Sequence, residues 1–464
     1  MEKTTLAPDQ ALDHAHGLRT YFDTGATRSY AARRNALKAL RSAVRMYEED
    51  LITAMHTDMR KPRFEAYLGD IGLVYAEIDH ALKHLKEWMR PRAVPTPLAI
   101  QLAESKVYHE PLGVVLIIAP WNYPVLLLLG PLVGAIAAGN CAVLKPSEDA
   151  PATAAVVERL VKEAIPAWVE VVQGPGVEAV PQLMRAFRFD HVFFTGSARV
   201  GRAVLELAAR DLVPTTLELG GKSPAIVDRT ADVKRATQRI AWSKFFNAGQ
   251  TCIATDHALV HAEVMEEFID ALKLHIRRFY GDDPQRSADY ARLINRRRFD
   301  AVSAYLSQGD VVIGGPHDAA DRYIAPTVMT GVPLSSSVMS EEIFGPVLPV
   351  IPWTERDEAL AIIRRNPQPL AAYIFSNDRK AQDYFLERVA FGGGCINHCM
   401  LQFGSREMPF GGVGASGMGR YHGERTFLLF SNEKGVVHAS TLIEPGVQYP
   451  PYTKLKAKVL RRFL

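Results

Sequence analysis

Apolar residues recur at helical spacing through residues 31–60, at Leu37, Leu40, Val44, Tyr47, Leu51 and Met55. This spacing predicts one long amphipathic helix whose arginines form a solvated face. From Gly113 the pattern changes to short, unbroken apolar runs separated by longer helical segments. Val114 to Ala119, Cys141 to Leu144, Val169 to Val172 and His191 to Thr195 read as buried strands. Leu126 to Ala138, closed by Gly139-Asn140, reads as a helix, as do Ala152 to Ala164 behind Pro151 and Val200 to Ala209. Strands alternating with helices of this length imply parallel pairing in a doubly wound sheet. A second α/β region runs from Lys222 to about Phe403, with strands at Ala225 to Val227 and Ala258 to Val260 and a helix at Val264 to Phe279. The Pro-rich stretch Pro91 to Pro97 marks an excursion from the first region.

Composition narrows the class. A chain of 464 residues exceeds one ordinary core, so two or three domains are expected. With 48% hydrophobic and 23% charged residues, the chain has the balance of a soluble globular protein. A formal net charge of +3 is too small to imply a nucleic-acid or membrane partner. The four cysteines, Cys141, Cys252, Cys395 and Cys399, make a poor disulfide framework and favour a reducing compartment. Met1 to Gln10 has no apolar segment of the kind a secretory signal needs. Val125 to Ala138 is interrupted by Gly130, Pro131 and Gly134 and is shorter than a membrane span. The expectation is a cytoplasmic enzyme without an integral membrane segment.

Its chemistry centres on Cys252, in Asn247-Ala248-Gly249-Gln250-Thr251-Cys252-Ile253-Ala254. A lone Cys is most simply a small buried hydrophobe. Upstream, however, stands Leu217-Glu218-Leu219-Gly220-Gly221-Lys222-Ser223-Pro224. A thiolate is a good nucleophile, and a carboxylate can take its proton or activate a water. Small and polar neighbours leave the Cys252 backbone N–H open to an oxyanion.

Glu-Leu-Gly-Gly-Lys-Ser-Pro followed by Gly-Gln-Thr-Cys resembles the aldehyde dehydrogenase superfamily. The likeness extends, in order, from Pro120-Trp121-Asn122-Tyr123-Pro124 to the Gly-rich run near the C-terminus, over roughly residues 30 to 440. It implies an α/β fold with a doubly wound parallel, Rossmann-like cofactor domain, a second α/β catalytic domain and a small β oligomerisation arm. The cofactor domain would comprise residues 1–90 and 109–218, rejoined by parts of 404–430, and the catalytic domain 219–403. The arm would comprise 91–108 with about 433–445, including a strand at Lys106 to His109 that packs on a partner subunit, and 446–464 would form a tail. In the family the Cys attacks an aldehyde and the Glu is the general base, which here means Cys252 and Glu218.

The Gly412-Val413-Gly414-Ala415-Ser416-Gly417 run matches a dinucleotide fingerprint in letters only, because it lies outside any βαβ unit. A loop closing over the active-site region is the better reading. Phe194-Thr195-Gly196-Ser197 instead follows a strand and opens a helix, where free N–H groups and the helix dipole suit a pyrophosphate. A plain turn capped by Ser197 has the same local sequence. The resemblance favours the phosphate role and also assigns Trp121, Gly201 and Leu219 to the cofactor. Lys145 and Glu148 could hydrogen-bond the adenosine ribose or simply form a surface turn. The family uses the matching pair for ribose, and Glu148 would repel a 2′-phosphate and favour NAD over NADP. The expected cofactor is NAD, with NADP also accepted.

Asn122 follows a buried strand at the sheet edge where α/β ligands bind; a turn former before Pro124 would look alike. The resemblance makes it an oxyanion donor beside the Cys252 N–H. It likewise places Glu342 on the nicotinamide ribose and Phe344 near it. Cys395-Ile396-Asn397-His398-Cys399 lacks the second half of a zinc motif and reads as pocket lining, so no metal is expected.

Met408 to Gly419, Tyr421-His422-Gly423 and Tyr449-Pro450-Pro451-Tyr452 resemble the class 3 aldehyde dehydrogenases. That class implies medium-chain aliphatic or aromatic aldehydes, a homodimer and either nicotinamide cofactor. His398 and Cys399 depart from it and, with Met400, Leu401 and Phe403, would alter the substrate mouth. A CoA-acylating or reductive relative, a thiol hydrolase and a catalytically silent binding protein are the alternatives; Glu218 and Cys252 together favour hydrolytic aldehyde oxidation. In the tail, Leu455, Val459 and Phe463 oppose Lys454, Lys458, Arg461 and Arg462. This face invites a membrane reading, yet a dozen residues bind a bilayer only marginally. A helix packed on the protein body is expected.

Overall fold

The computed structural model describes residues 8–444 and 446–463. The N-terminal stretch read for a secretory signal lies outside the described residues up to Ala7, as does the side chain of Phe463. Two sheets organise the chain. In the first, the order is Gly417–Met418, Thr215–Glu218, His191–Thr195, Val114–Ile118, Cys141–Lys145, Val169–Val171, parallel except for the Gly417–Met418 edge. His191–Thr195, Val114–Ile118 and Cys141–Lys145 are buried at every position, which explains apolar runs that do not alternate. Chain order reverses between Val114–Ile118 and His191–Thr195, and the crevice beyond their carboxyl ends is where such sheets take ligands.

The second sheet has seven strands: Asp310–Ile313, Thr327–Thr330, Val347–Trp353, His257–His261, Pro224–Val227, Ala371–Phe375 and Gly393–Ile396. Only the Asp310–Ile313 edge is antiparallel. The helix Leu126–Ala138 is apolar on every side and fully buried, and it belongs to one core cluster that spans both sheets. A third, antiparallel sheet joins Arg92–Val94, Glu104–Pro111 and Ser431–His438. The expected strand Lys106 to His109 is thus the middle of a longer one.

The single helix expected over 31–60 is two, Tyr30–Met46 and Glu48–Met59. Tyr47 leaves helical geometry at φ −95°, ψ 8°, although its N–H still donates to the Ala43 carbonyl. The first helix packs on Gly72–Trp88 and Pro151–Ala164, and the second mainly on Pro151–Ala164, so the bend lets both apolar faces find cover. Glu48, Glu49 and Asp50 suit the new N-terminus. The tail forms the helix Lys454–Phe463, whose Val459 and Leu460 share a groove with Leu98 and Ile100. No helix among the described residues is long and apolar enough to cross a membrane.

Candidate active site

Two loops meet beyond the first sheet. The Trp121-Asn122-Tyr123 loop leaves the strand Val114–Ile118, and the Cys252 loop leaves the helix Val233–Phe245. Asn122 is buried; its Nδ2 donates to the Gln250 carbonyl at 3.0 Å, and its own carbonyl accepts from Lys61 Nζ (2.8 Å) and Asn247 Nδ2 (3.0 Å). The Tyr123 hydroxyl and Thr251 Oγ1 lie 2.5 Å apart. Before Cys252 the chain takes three left-handed residues in succession, Asn247 (φ 54°), Ala248 (φ 51°) and Gly249 (φ 75°). For Asn and Ala this conformation costs on the order of 1 kcal/mol or more each. Hydrogen bonds hold it: Asn247 N–H to Glu65 Oε2, and Gln250 Nε2 to the Asn247 and Arg292 carbonyls. The reading from sequence alone missed Lys61, Glu65 and Asp70. Asp70 bonds Lys61 and accepts from the amides of Val125 and Leu126.

Glu218 ends the strand Thr215–Glu218, is buried, and has both carboxylate oxygens without a hydrogen-bond partner among the described residues. Burial pushes its pKa well above the usual carboxylate range, opposed by the Arg420 charge. Burial also pushes the Cys252 thiol up to about 12, reinforced by the Glu342 and Glu218 carboxylates. Both side chains line one cavity of about 340 Å³, walled by Leu126, Leu127, Trp242, Phe246, Leu401 and Phe403. The Gly-rich run lies against Glu218. Gly417–Met418 pairs with Leu217 and Glu218, and the Leu219 N–H donates to the Ser416 carbonyl. A Cβ on Gly411 would fall 2.9 Å from Glu218 Oε1.

The crevice at the strand reversal holds most of the other predicted residues. Ser197 caps the helix Ala198–Ala209 by accepting from the Val200 N–H at 3.4 Å. Gly196 sits over the Phe194 ring, and Gly201 is buried against Leu219, where a Cβ would approach to 2.9 Å. At the end of the neighbouring strand, the buried Lys145 Nζ donates to the Pro146 carbonyl (2.6 Å) and to Glu148 Oε2 (3.4 Å). Burial lowers the Lys145 pKa. Burial raises that of Glu148, but its own amide, the Gly176 amide and Lys145 outweigh this and hold it low. Trp121 and Phe344 meet edge to face at 5.4 Å. The Glu342 carboxyl, raised to about 8 by burial and then by Asp256, rests against Gly220. A helix N-terminus beside small residues, a Lys–Glu pair at the end of the neighbouring strand, and the buried Thr195 Oγ1, unpartnered among the described residues, together fit a dinucleotide.

One expectation needs correcting. The run Cys395 to Cys399 does not line the cavity; Met400, Leu401 and Phe403 beyond it do. Left-handed turns at Asn397 and Met400 redirect the chain, and the Asn397 side chain is tied to the Ser376 backbone. Cys395 Sγ donates to Gln402 Oε1, while Cys399 is buried beside Thr255.

Residues 4–436 match the aldehyde dehydrogenase family. The chain is 45% identical over 448 residues to 4,4'-diaponeurosporen-aldehyde dehydrogenase of Staphylococcus aureus, covering 96% of this chain and 97% of that one. It is 44% identical to aldehyde dehydrogenase family 3 member B1 of Rattus norvegicus, with 97% of each chain covered. A solved structure described as the substrate-bound state of Staphylococcus aureus AldH is similar at a TM-score of 0.95 and 44% identity, covering 97% and 98%. With this fold and these matches over nearly its whole length, the chain belongs to the aldehyde dehydrogenase family, as an NAD(P)-dependent enzyme whose relatives include family 3 members.

Proposed function

We propose that this enzyme oxidises medium-chain aliphatic or aromatic aldehydes to carboxylic acids, using NAD in preference to NADP. The observation that carries the reading is the shared cavity: Cys252 and Glu218 face one apolar chamber, with the Asn122 amide tied to the Cys252 loop. In this reading the Cys252 thiol gives its proton to Glu218, which releases it to solvent, and the sulfur attacks the aldehyde carbon as the carbonyl π bond opens. The resulting hemithioacetal oxyanion takes hydrogen bonds from the Cys252 N–H and the second N–H of Asn122 Nδ2. When bound, the nicotinamide supplies the hydride acceptor that turns this adduct into a thioester. Glu218 then takes a proton from water as that water attacks the thioester carbon, and the Cys252–carbon bond breaks to release the carboxylate. Burial makes Glu218 a strong base once ionised and disfavours its charge at rest.

The apolar walls support an uncharged hydrocarbon tail on the substrate. Glu218 at the cavity favours hydrolysis over transfer to CoA. Ser197 and Gly196 would bind the pyrophosphate, Lys145 and Glu148 the adenosine ribose, and Glu342 with Phe344 and Trp121 the nicotinamide end. The three-stranded arm leaves Leu98, Ile100, Leu102 and Val437 exposed, which supports a homodimer formed through it. Four free cysteines support a cytoplasmic setting. The test is NADH absorbance with purified protein, NAD and a panel of aldehydes. Oxidation should vanish in Cys252→Ala while NAD binding remains; substantial NADH production by that variant would rule out the nucleophile.

A further inference from the structure

The helix Gly72–Trp88 presents His80 and His84 one turn apart on one side, and Glu407 reaches them from the loop before Met408-Pro409-Phe410. One ligand atom of each lies within 4.8 Å of the others. His80 Nδ1 is 3.9 Å from Glu407 Oε1, and the two imidazole centroids are 4.6 Å apart. Zinc bonds of about 2.0–2.2 Å set ligand–ligand edges of roughly 3.3 Å in a tetrahedron. Glu407, whose side chain is 81% exposed, is free to rotate and shorten its 3.9 Å distance to His80 Nδ1.

Two carboxylates, Glu407 and Glu87, face the imidazole pair. Gly423 packs on the far edge of the His80 ring, where a Cβ would stand 3.0 Å from Nε2, leaving Nδ1 to face Glu407. Glu87 lies 3.6 Å from His84 Nδ1 and can orient that imidazole. The neighbouring guanidinium of Arg406 is already paired with Glu77 at 3.1 Å, both buried within the fold. Lys83, the other nearby cation, is exposed on the same helix. Two imidazoles and one carboxylate, with a fourth position open to water, are a donor set for zinc and its transition-metal neighbours rather than for magnesium or calcium.

We propose that His80, His84 and Glu407 form a zinc-type site that clips the loop around Glu407 to the helix Gly72–Trp88. The clip would bear on the reaction chamber, because Phe403, Gly404 and Phe410 of the same segment line the cavity and Gly411 touches Glu218.

The test titrates Zn²⁺ alone, against a competing zinc-indicator dye, into chelator-treated Cys252→Ala protein, which removes the thiol that lines the reaction chamber. One equivalent should bind, and His84→Gln or Glu407→Gln, each made separately, should weaken binding at least ~10-fold. Unchanged affinity in both variants, or no stoichiometric binding, overturns the site. Zinc should also slow hydrogen exchange of amides 404–411 in the Cys252→Ala protein; exchange unaffected by bound zinc overturns the clip.

Discussion

Glu342 and Gly220 are in such close contact that a Cβ at position 220 would fall 2.0 Å from Glu342 Oε2. A side chain there must therefore push the carboxylate aside, and the carboxylate can swing because it ends a flexible side chain. Gly220→Ala should raise KM for the cofactor by roughly tenfold, equivalent to ~1.4 kcal/mol of binding, while leaving thermal stability nearly unchanged. Gly249→Ala should behave in the opposite way. Its φ is +75°, and a Cβ would lie 2.3 Å from the Gly345 carbonyl oxygen, which is backbone and cannot rotate away. A loss of about 2–4 kcal/mol is expected in denaturant unfolding. Equal unfolding midpoints for the two variants would count against this account.

Cys252 should be a reluctant thiolate before cofactor binds. Burial and two carboxylates hold its pKa up, at about 12, so alkylation by iodoacetamide, followed on the Cys252 peptide, should keep rising beyond pH 9. Glu342→Gln removes one of the opposing charges, lowers the thiol pKa and should speed alkylation several-fold at pH 8.5. A plateau below pH 8 in the unaltered enzyme would show that another group stabilises the thiolate.

Glu65 links pH to stability through the bend that carries Cys252. Burial raises its carboxyl to about 8, against the opposing pull of the Asn247 N–H. An acid whose folded pKa exceeds its unfolded value contributes stability that is full below the unfolded pKa, near 4.5, and is lost as pH rises toward 8. Glu65→Gln keeps an acceptor oxygen for Asn247 and cannot ionise. Relative to the unaltered protein it should gain on the order of 1–3 kcal/mol between pH 5 and pH 8 in urea unfolding. Parallel stability curves across that window would show that Glu65 carries no such load.

Glu148 offers a direct reading of cofactor choice. One oxygen accepts the Gly176 amide and the other lies near Lys145, so its charge is fixed at the proposed ribose position. Glu148→Gln should narrow the gap in kcat/KM between NAD and NADP by several-fold, since repulsion of a 2′-phosphate disappears. An unchanged ratio would place cofactor discrimination elsewhere.

The strands Val114–Ile118 and His191–Thr195 were legible because central parallel strands must be apolar on both faces. Cys252 and Glu218 were legible because their chemistry sits in distinctive short motifs. Lys61, Glu65 and Asp70 were not, since charged residues around helix ends read as surface until the fold buries them. Nor was the bend at Tyr47, because the i, i+3, i+4 pattern continues straight through it and only the separate neighbours of the two helices demand a break. The turn after Cys395 was hidden for the same kind of reason. Asn397 becomes left-handed through bonds to Ser376, a partner that local sequence does not reveal.

The late return of the chain to its early sheets bears on biosynthesis. Glu218 belongs to a strand whose outer edge is covered only by Gly417–Met418, and Glu104–Pro111 gains its long partner only from Ser431–His438. A ribosome has therefore made every proposed reactive group well before the segments that shield them leave the exit tunnel. Until then the nascent protein carries two bare strand edges, each able to pair with another unfinished copy. Messages truncated shortly before codon 417 should consequently yield aggregates and chaperone clients instead of a partially active enzyme.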